Sequence, residues 1–434
     1  MNKTIVFIFI LCYSLLSSKE ITMQTAKEIA LKNNSEYNSQ KYNYLSSTYS
    51  TKESWTSLLP QGSFNFNYLS NKDMPIKTNS KSYSAELNQP IFMQGKIWQT
   101  YKIKKDLQEI KKLTLEYQKF VTLNLTESKY FNFILAEKKL DISKTQLISS
   151  KKILKETEIK HKSGVISEVD LSNIRSDVSQ KEYLLLFAET EYQSALNNFI
   201  GFLKLEEKVE PLAIDLKEYE HSIQKLQNIP NDKMDVLLDK VVDIGVERNL
   251  VLRIEKLLLD ISNKELKISK LGNFPSLSAS YSYSKNENFT GKYGDAIKTI
   301  SLNFSLPIFP LTDKIYTYKN KYYLEKKAQE EFFAKQRDIK IELRLATLNL
   351  INSTKKIKAA LQAKEFARKS YKKNKTRFDK QLLSSNELLS AELIYKQATL
   401  SLISSEHSFL IAKSQLMKMM NYEKEESLFN LFNI

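Results

Sequence analysis

The chain carries one pattern twice, and that duplication limits its possible folds more than any other feature. Pro90-Ile91-Phe92 recurs as Pro307-Ile308-Phe309. Thr100-Tyr101-Lys102-x-Lys104-x-x-Leu107 recurs as Thr317-Tyr318-Lys319-x-Lys321-x-x-Leu324, and Ser167-x-x-Asp170-Leu171 as Ser384-x-x-Glu387-Leu388. All three matches share the offset that carries Pro90 onto Pro307, so Pro90 to Leu171 repeats without net insertion. Identity between the anchors is thin, as in an old duplication held by geometry. A period this long marks a two-fold internal duplication, not a solenoid repeat of roughly 20–50 residues.

Proline placement says what is repeated. The 8 prolines leave residues 91–210 and 311–434 free of them. Proline removes a helix donor and clashes with the preceding turn, so these two runs read as long helices. Charged residues make up 27% of the chain and mean hydropathy is −0.40, which leaves no apolar run of about twenty residues for a membrane helix. The excess of 66 Lys+Arg over 50 Asp+Glu gives a net charge of +16. These lysines are spread along the chain with no nucleic-acid motif beside them, so they read as the coat of long solvated helices.

Residues 1–18 read as a secretory signal peptide: Lys3, an apolar core from Ile5 to Leu16, then Ser17-Ser18. Cys12, the only cysteine, lies inside it. Lipidation at Cys12 is the lesser reading, because Leu11 is bulky where a small residue is usual. Without Cys12 the chain has neither disulfide nor thiolate site. Export also disfavours DNA binding.

A helical pattern from about Thr22 to Leu58 ends at Pro60-Gln61-Gly62, after which Phe64, Phe66 and Tyr68 alternate with polar residues. Tyr83, Ala85 and Leu87 alternate again before Pro90, so the two segments form a hairpin over 61–90. The second half repeats this with a helix over about 235–271 and a hairpin over 276–307, apolar at Leu277, Ala279, Tyr281 and Tyr283 and at Ile300, Leu302, Phe304 and Leu306. Strands of about ten residues with one apolar and one polar face suit a transmembrane barrel. Trp55, Phe92, Trp98 and Phe309 at the strand ends suit an interfacial aromatic belt. Four strands cannot close a barrel, since the smallest have about eight, so the chain must pool strands with copies of itself, two or three.

Residues 98–162 and 314–380 read as helices of about 100 Å at 1.5 Å per residue. The helices returning from them and those entering the hairpins are near half that length, so two placed end to end match one long one. The expected organisation is therefore a signal peptide over 1–18, a first repeat over 19–203, a linker over 204–233, a second repeat over 234–420 and a tail over 421–434. In each repeat a turn, 163–167 or 381–385, joins the long helix to its return helix. Gly164 suits a helix C-terminus with positive φ, whereas the second copy has Gln381 there. Ser167 and Ser384 read as N-caps, with Asp170 and Glu387 three residues on in capping-box position.

Signal peptide, duplication, helix–hairpin–helix order and the paired turns, Lys160 to Leu171 and Arg377 to Leu388, together resemble the TolC family of outer-membrane efflux proteins. The resemblance covers about residues 20–424. It implies a mainly α fold with a small β part, in which duplicated long-helix hairpins form an α-barrel. Four strands per chain would contribute to a trimeric 12-stranded transmembrane β-barrel. It also implies a homotrimer in outer-membrane lipid, docking onto a periplasmic adaptor protein and an inner-membrane pump or ABC exporter as a passive export duct. By motif position, Gly164, Ser167, Asp170, Gln381, Ser384 and Glu387 would form the periplasmic gate and docking end. The family's latch does not carry over: Leu383 stands where its Arg would be, Phe378 replaces a Tyr, and Ser390 replaces a ring acid. The expectation is a tip held by packing and a pore of weak cation preference.

Enzymatic chemistry finds no support in the residues. His161, His221 and His407 are far apart and read as solvated polar residues, and no cofactor loop or metal-ligand cluster is present in the sequence. The remaining rival is an exported coiled-coil scaffold that conducts nothing. It leaves the two matched hairpins unexplained.

Overall fold

The computed structural model describes residues 19–71, 78–206, 209–212, 216–272, 274–287, 293–309, 311–380 and 382–432. The expected signal peptide, Cys12 and Gln381 lie outside them. Strand β1 (Lys19–Ile21) and helices α1 (Met23–Asn33) and α2 (Ser35–Thr56) lead into strands β2 (Gln61–Asn71) and β3 (Thr78–Met93). Helices α3 (Lys96–Lys162) and α4 (Glu168–Leu203) complete the first half. Strand β4 (Val209–Pro211), a 3-10 turn at Leu216–Tyr219 and helix α5 (Glu220–Gln227) connect the halves. The second half runs α6 (Asn231–Arg248), α7 (Leu250–Leu271), β5 (Ser276–Asn286), β6 (Ile297–Ser305), α8 (Leu311–Asp379) and α9 (Ser385–Met420). A short α10 (Glu425–Phe429) and a 3-10 turn at Asn430–Phe432 close the described chain.

Helices α3 and α8 hold 67 and 69 residues and α4 and α9 hold 36 each. The long pair is therefore about 100 Å tall. The offset between the copies persists to the end of both return helices. Lys204 and Asn421 each take positive φ there, and the next amide reaches back to Ile200 O at 3.1 Å or Met417 O at 3.0 Å. These bonds satisfy carbonyls that a helix end leaves without partners.

The helices entering the hairpins are not continuous as the periodicity suggests. Each breaks at a single extended residue, Asn34 (φ −67, ψ 121) or Asn249 (φ −65, ψ 117). Each Asn side chain accepts a bond from the amide three residues on, Tyr37 N at 2.8 Å or Leu252 N at 3.1 Å, and so starts a fresh helix. The breaks sit where the return helices end. Asn33 Nδ2 donates to Leu203 O at 2.9 Å, and Asn249 Nδ2 donates to Met419 O at 3.3 Å. Two half-length helices thus abut end to end.

The main apolar core lies at this level. It joins Tyr130, Phe133, Phe199 and Leu203 from the first half to Leu343, Leu350, Phe409 and Met420 from the second. The segment read as a linker belongs to this core. β4 pairs in parallel with β1, α5 buries Ile223 and Leu226, and α6 already begins at Asn231. Tyr130 Oη lies 2.9 Å from Ile21 O and 2.8 Å from Leu212 O, so one hydroxyl ties that small sheet to α3. The tail is also core, with Leu428, Leu431 and Phe432 buried. Lys413 of α9, fully buried, pairs with Glu425 of the tail and reaches Tyr219 Oη at 3.0 Å.

The hairpins join into one antiparallel sheet of order β2-β3-β5-β6. Its register puts Phe64 beside Ala85 and Phe66 beside Tyr83, then Ala85 beside Tyr283 and Leu87 beside Tyr281, then Tyr281 beside Ile300 and Leu277 beside Phe304. Because alternate residues point to opposite faces, all of these share one face. The other carries Ser63, Asn65, Ser84, Glu86, Ser280, Ser282, Thr299 and Ser301. The sheet therefore has an aromatic and aliphatic side and a hydroxyl and amide side, and β2 and β6 are its edges.

Candidate functional site

Two features stand at opposite ends of the helical columns: the sheet and the paired turns. Helix α3 ends in a reciprocal C-terminal motif, with Gly164 N donating to His161 O at 2.9 Å and Val165 N to Lys160 O at 3.0 Å. Gly164 has φ +73, which a side chain would strain. In the second copy Leu382 N donates to Arg377 O at 2.8 Å, the counterpart of the bond from Val165 to Lys160.

Both return helices are capped by serine. Ser167 Oγ accepts from Asp170 N at 3.1 Å and donates to Asp170 Oδ2 at 2.8 Å. Ser384 forms the fuller arrangement. Its Oγ accepts from Glu387 N at 3.3 Å, while its own backbone N–H and hydroxyl reach Glu387 Oε2 at 3.0 and 2.8 Å. These bonds, with Arg377 adding a smaller attraction, hold the Glu387 carboxyl below the usual carboxylate range.

The turns come together. Asn386 Nδ2 lies 3.4 Å from Asp170 Oδ1, and an open cleft of about 600 Å³ is lined by Lys160, Val165, Asp170, Phe378, Leu383, Ser384 and Glu387 among others. Of the residues singled out by sequence, Asp170, Ser384 and Glu387 meet in this cleft. Gly164 faces open space, with nothing within 4 Å of where a Cβ would sit. Beneath the cleft Phe378 is buried with Ile153, Ile174 and Leu388, and Leu383 packs against them. Lys160 Nζ lies 4.3 Å from the centre of the Phe378 ring, a cation–π approach.

The sequence reading missed a network on the first turn. His161, read there as solvated, lies 2.9 Å from Ile166 O through Nδ1 and 3.1 Å from Glu168 Oε2 through Nε2. Arg175 approaches Glu168 at 3.6 Å and Glu158 at 3.8 Å. Spacing could have signalled it, since 158, 161, 168 and 175 fall on facing sides of a helical hairpin. His407 is not a solvated group either. Its Nε2 lies 2.8 Å from Asn132 Oδ1 across the halves, and burial, then Lys139, lower its basicity. No group of three or more His, Cys, Asp or Glu that could hold a metal occurs among the described residues.

At the other end, Trp55 stands one residue before the end of α2, Phe92 at the end of β3, Trp98 in the first turn of α3, and Phe309 after β6. All four are exposed and lie at junctions between helices and the sheet. Trp98 stacks on Tyr101 with ring centres 5.6 Å apart. No described helix is both long and apolar enough to cross a membrane.

No protein-family model matches the sequence, and no curated protein matches it by sequence. Solved structures do. The CmeC outer membrane channel of Campylobacter jejuni superposes with a TM-score of 0.78 at 17% identity, over 95% of this chain and 89% of that one. The outer membrane protein VceC of Vibrio cholerae gives 0.76 at 10% identity, over 92% and 96%. The open state of the MtrE outer membrane channel of Neisseria gonorrhoeae gives 0.73 at 14% identity, over 92% and 89%. Nearly whole-length agreement at such low identity is agreement of architecture: the chain has the TolC-like fold of the outer-membrane channels.

Proposed function

We propose that the protein is an outer-membrane channel-tunnel, a passive export duct of a tripartite efflux or type I secretion system. The observation that carries this reading is the two-faced sheet with free edges, mounted on columns about 100 Å tall. In water its exposed apolar face, including Ile300, Leu302 and Phe304, would be a large liability. In a bilayer it is the wall of a barrel, with the serine-rich face lining the lumen. Edge β6 of one copy pairing with β2 of the next closes twelve strands from three copies. Trp55, Phe92, Trp98 and Phe309 then form the belt at the periplasmic interface. The turns around Gly164, Ser167, Asp170, Gln381, Ser384 and Glu387 form the far tip, where a periplasmic adaptor and, through it, an inner-membrane pump or ABC exporter would dock. The cargo is chosen by that pump.

Two measurements test this. Cysteines placed on facing positions of β6 and β2 should cross-link into a trimer ladder in outer-membrane preparations, and the assembled protein should conduct ions in planar bilayers. Trimers without conductance would instead favour a scaffold spanning the periplasm.

A further inference from the structure

The four long strands carry few charges, and those few are sorted. Strand β2 has no lysine or arginine; β3, β5 and β6 have one each, Lys81, Lys285 and Lys298. Register places all three on the aromatic face. Lys81 lies opposite Tyr68, Lys285 opposite Tyr83, and Lys298 opposite Tyr283. The only carboxylate within these strands, Glu86, is on the hydroxyl face, between Ser63 and Ser282. The lysines occupy three successive rungs of that face, a diagonal across β3, β5 and β6, all toward the loops. Nearer the helices the same face holds Leu277, Leu302 and Phe304 and no cation.

Aromatic rings surround the diagonal. Lys285 Nζ sits 5.5 Å from the Tyr293 ring centre, Tyr293 packs on Tyr83 at 5.8 Å, and Tyr83 packs on Phe66 at 5.0 Å. Glu287, whose amide donates to Lys81 O at 2.8 Å, and Asp295 are the carboxylates described at this end. The register sets Glu287 opposite Lys81 on the same face, one carboxylate among three ammonium groups. An ammonium on a lipid-facing surface is costly at mid-bilayer and is tolerated only where its stem can carry it to the headgroups. Three of them at one end, on the face where cations are least welcome, call for anions that arrive attached to apolar chains.

We propose that this diagonal binds the phosphate groups of an anionic lipid of the outer leaflet, whose acyl chains lie along the aromatic band below. The proposal rests on the membrane reading given above. Each lysine near an anionic lipid surface contributes roughly fivefold in affinity, so the three together contribute on the order of a hundredfold.

The assembled full-length protein is reconstituted into phosphatidylcholine vesicles, alone or doped with a diphosphorylated glucosamine lipid or its phosphate-free counterpart. Retention of the doped lipid is counted by native mass spectrometry after gentle extraction. The wild type should retain the phosphorylated lipid, and Lys81→Gln/Lys285→Gln/Lys298→Gln should lose it by tenfold or more while still inserting. The Arg triple variant, which preserves charge, should retain it and guards against a variant that fails to assemble. Equal retention of the phosphate-free lipid, or undiminished retention by the Gln variant, would overturn the site. Displacement of the bound lipid by inorganic phosphate alone would overturn it too, leaving a simple anion site. Failure of the wild type to enter any vesicle would overturn the membrane reading itself, a distinguishable result.

Discussion

The two turns share a backbone frame at their described residues and differ in side-chain chemistry. Both keep the long C-terminal hydrogen bond, the serine N-cap and an acid three residues on, at matched positions of the duplication. Yet where the first turn has Glu158, His161, Glu168 and Arg175, the second has Lys375, Phe378, Ser385 and Glu392. The first adds an exposed polar network, whereas the second contributes a buried ring that packs on Ile153 and Ile174 of the first half as well as on Leu388. Duplication has preserved what fixes the path of the chain and let what holds the two helices together diverge.

The largest effect should therefore come from that ring. Phe378→Ala removes a buried ring from the small cluster and should cost about 3–5 kcal/mol locally. His161→Ala, at the equivalent place, loses a partly exposed pair with Glu168 and a bond to Ile166 O, together worth about 1–2 kcal/mol. Hydrogen exchange at the Leu171 and Leu388 amides reports each turn separately from the distant core. Equal acceleration in the two variants would mean that both turns rest on the same contacts.

At the other meeting point of the halves the contrast is one of volume. Gly245 of α6 has so little room that an added Cβ would lie 2.7 Å from Leu343 Cδ1 and 2.9 Å from Met420 Sδ. The first half has Ala30 at the corresponding place, as far before Asn34 as Gly245 is before Asn249, with Thr126 and Leu203 at the positions of Leu343 and Met420. Thr126 is smaller than Leu343, and the first half carries the methyl group that Gly245 lacks. Gly245→Ala should thus destabilise by about 1–3 kcal/mol despite its better helix propensity, read as the helical unfolding midpoint of the solubilised protein. Adding Leu343→Val should recover part of the loss. Stabilisation by Gly245→Ala alone would show that Leu343 can yield.

The caps differ less. Ser384→Ala removes the hydroxyl that both accepts from Glu387 N and donates to its carboxylate, and should cost about 1 kcal/mol of tip stability. Ser167→Ala should cost at least as much, because it loses the same two side-chain bonds without the backbone bond from Ser384 N to Glu387 that an alanine would keep.

Much of this was legible in the sequence, and for identifiable reasons. Long proline-free runs, two-residue alternation and a constant offset all concern local geometry, so the long helices, both hairpins and the paired turns could be read directly. What escaped depends on contacts distant in the chain. An asparagine inside a helical pattern marks a break at Asn34 or Asn249 only weakly. Each sits in a helical pattern, and the break follows from meeting the end of a return helix. Leu428, Leu431 and Phe432 of the tail fit no period, yet each is buried by the core it reaches. At the tip, spacing gave the caps and held a signal for the His161 network, but not for the Lys160–Phe378 contact, which joins helices from the two halves.

The smallest effect concerns pH. Glu387 is exposed, and its carboxyl is held below its ordinary value by the Ser384 backbone bond first, then the Ser384 hydroxyl, then Arg377. A carboxyl more acidic in the folded than in the unfolded chain stabilises the fold above its unfolded pKa, near 4.5. That contribution fades as pH falls below 4.5 and is gone once the lowered folded value has been passed. The start of α9 should accordingly fray on acidification from neutral pH, visible as faster exchange at Leu388 N, after correction for the intrinsic pH dependence of exchange. Glu387→Gln should exchange faster at neutral pH and show no further response to acid through this window. A Gln variant that frays on acidification as the wild type does would assign the response to another group, and the capping box of the second turn would then be structural without being titratable.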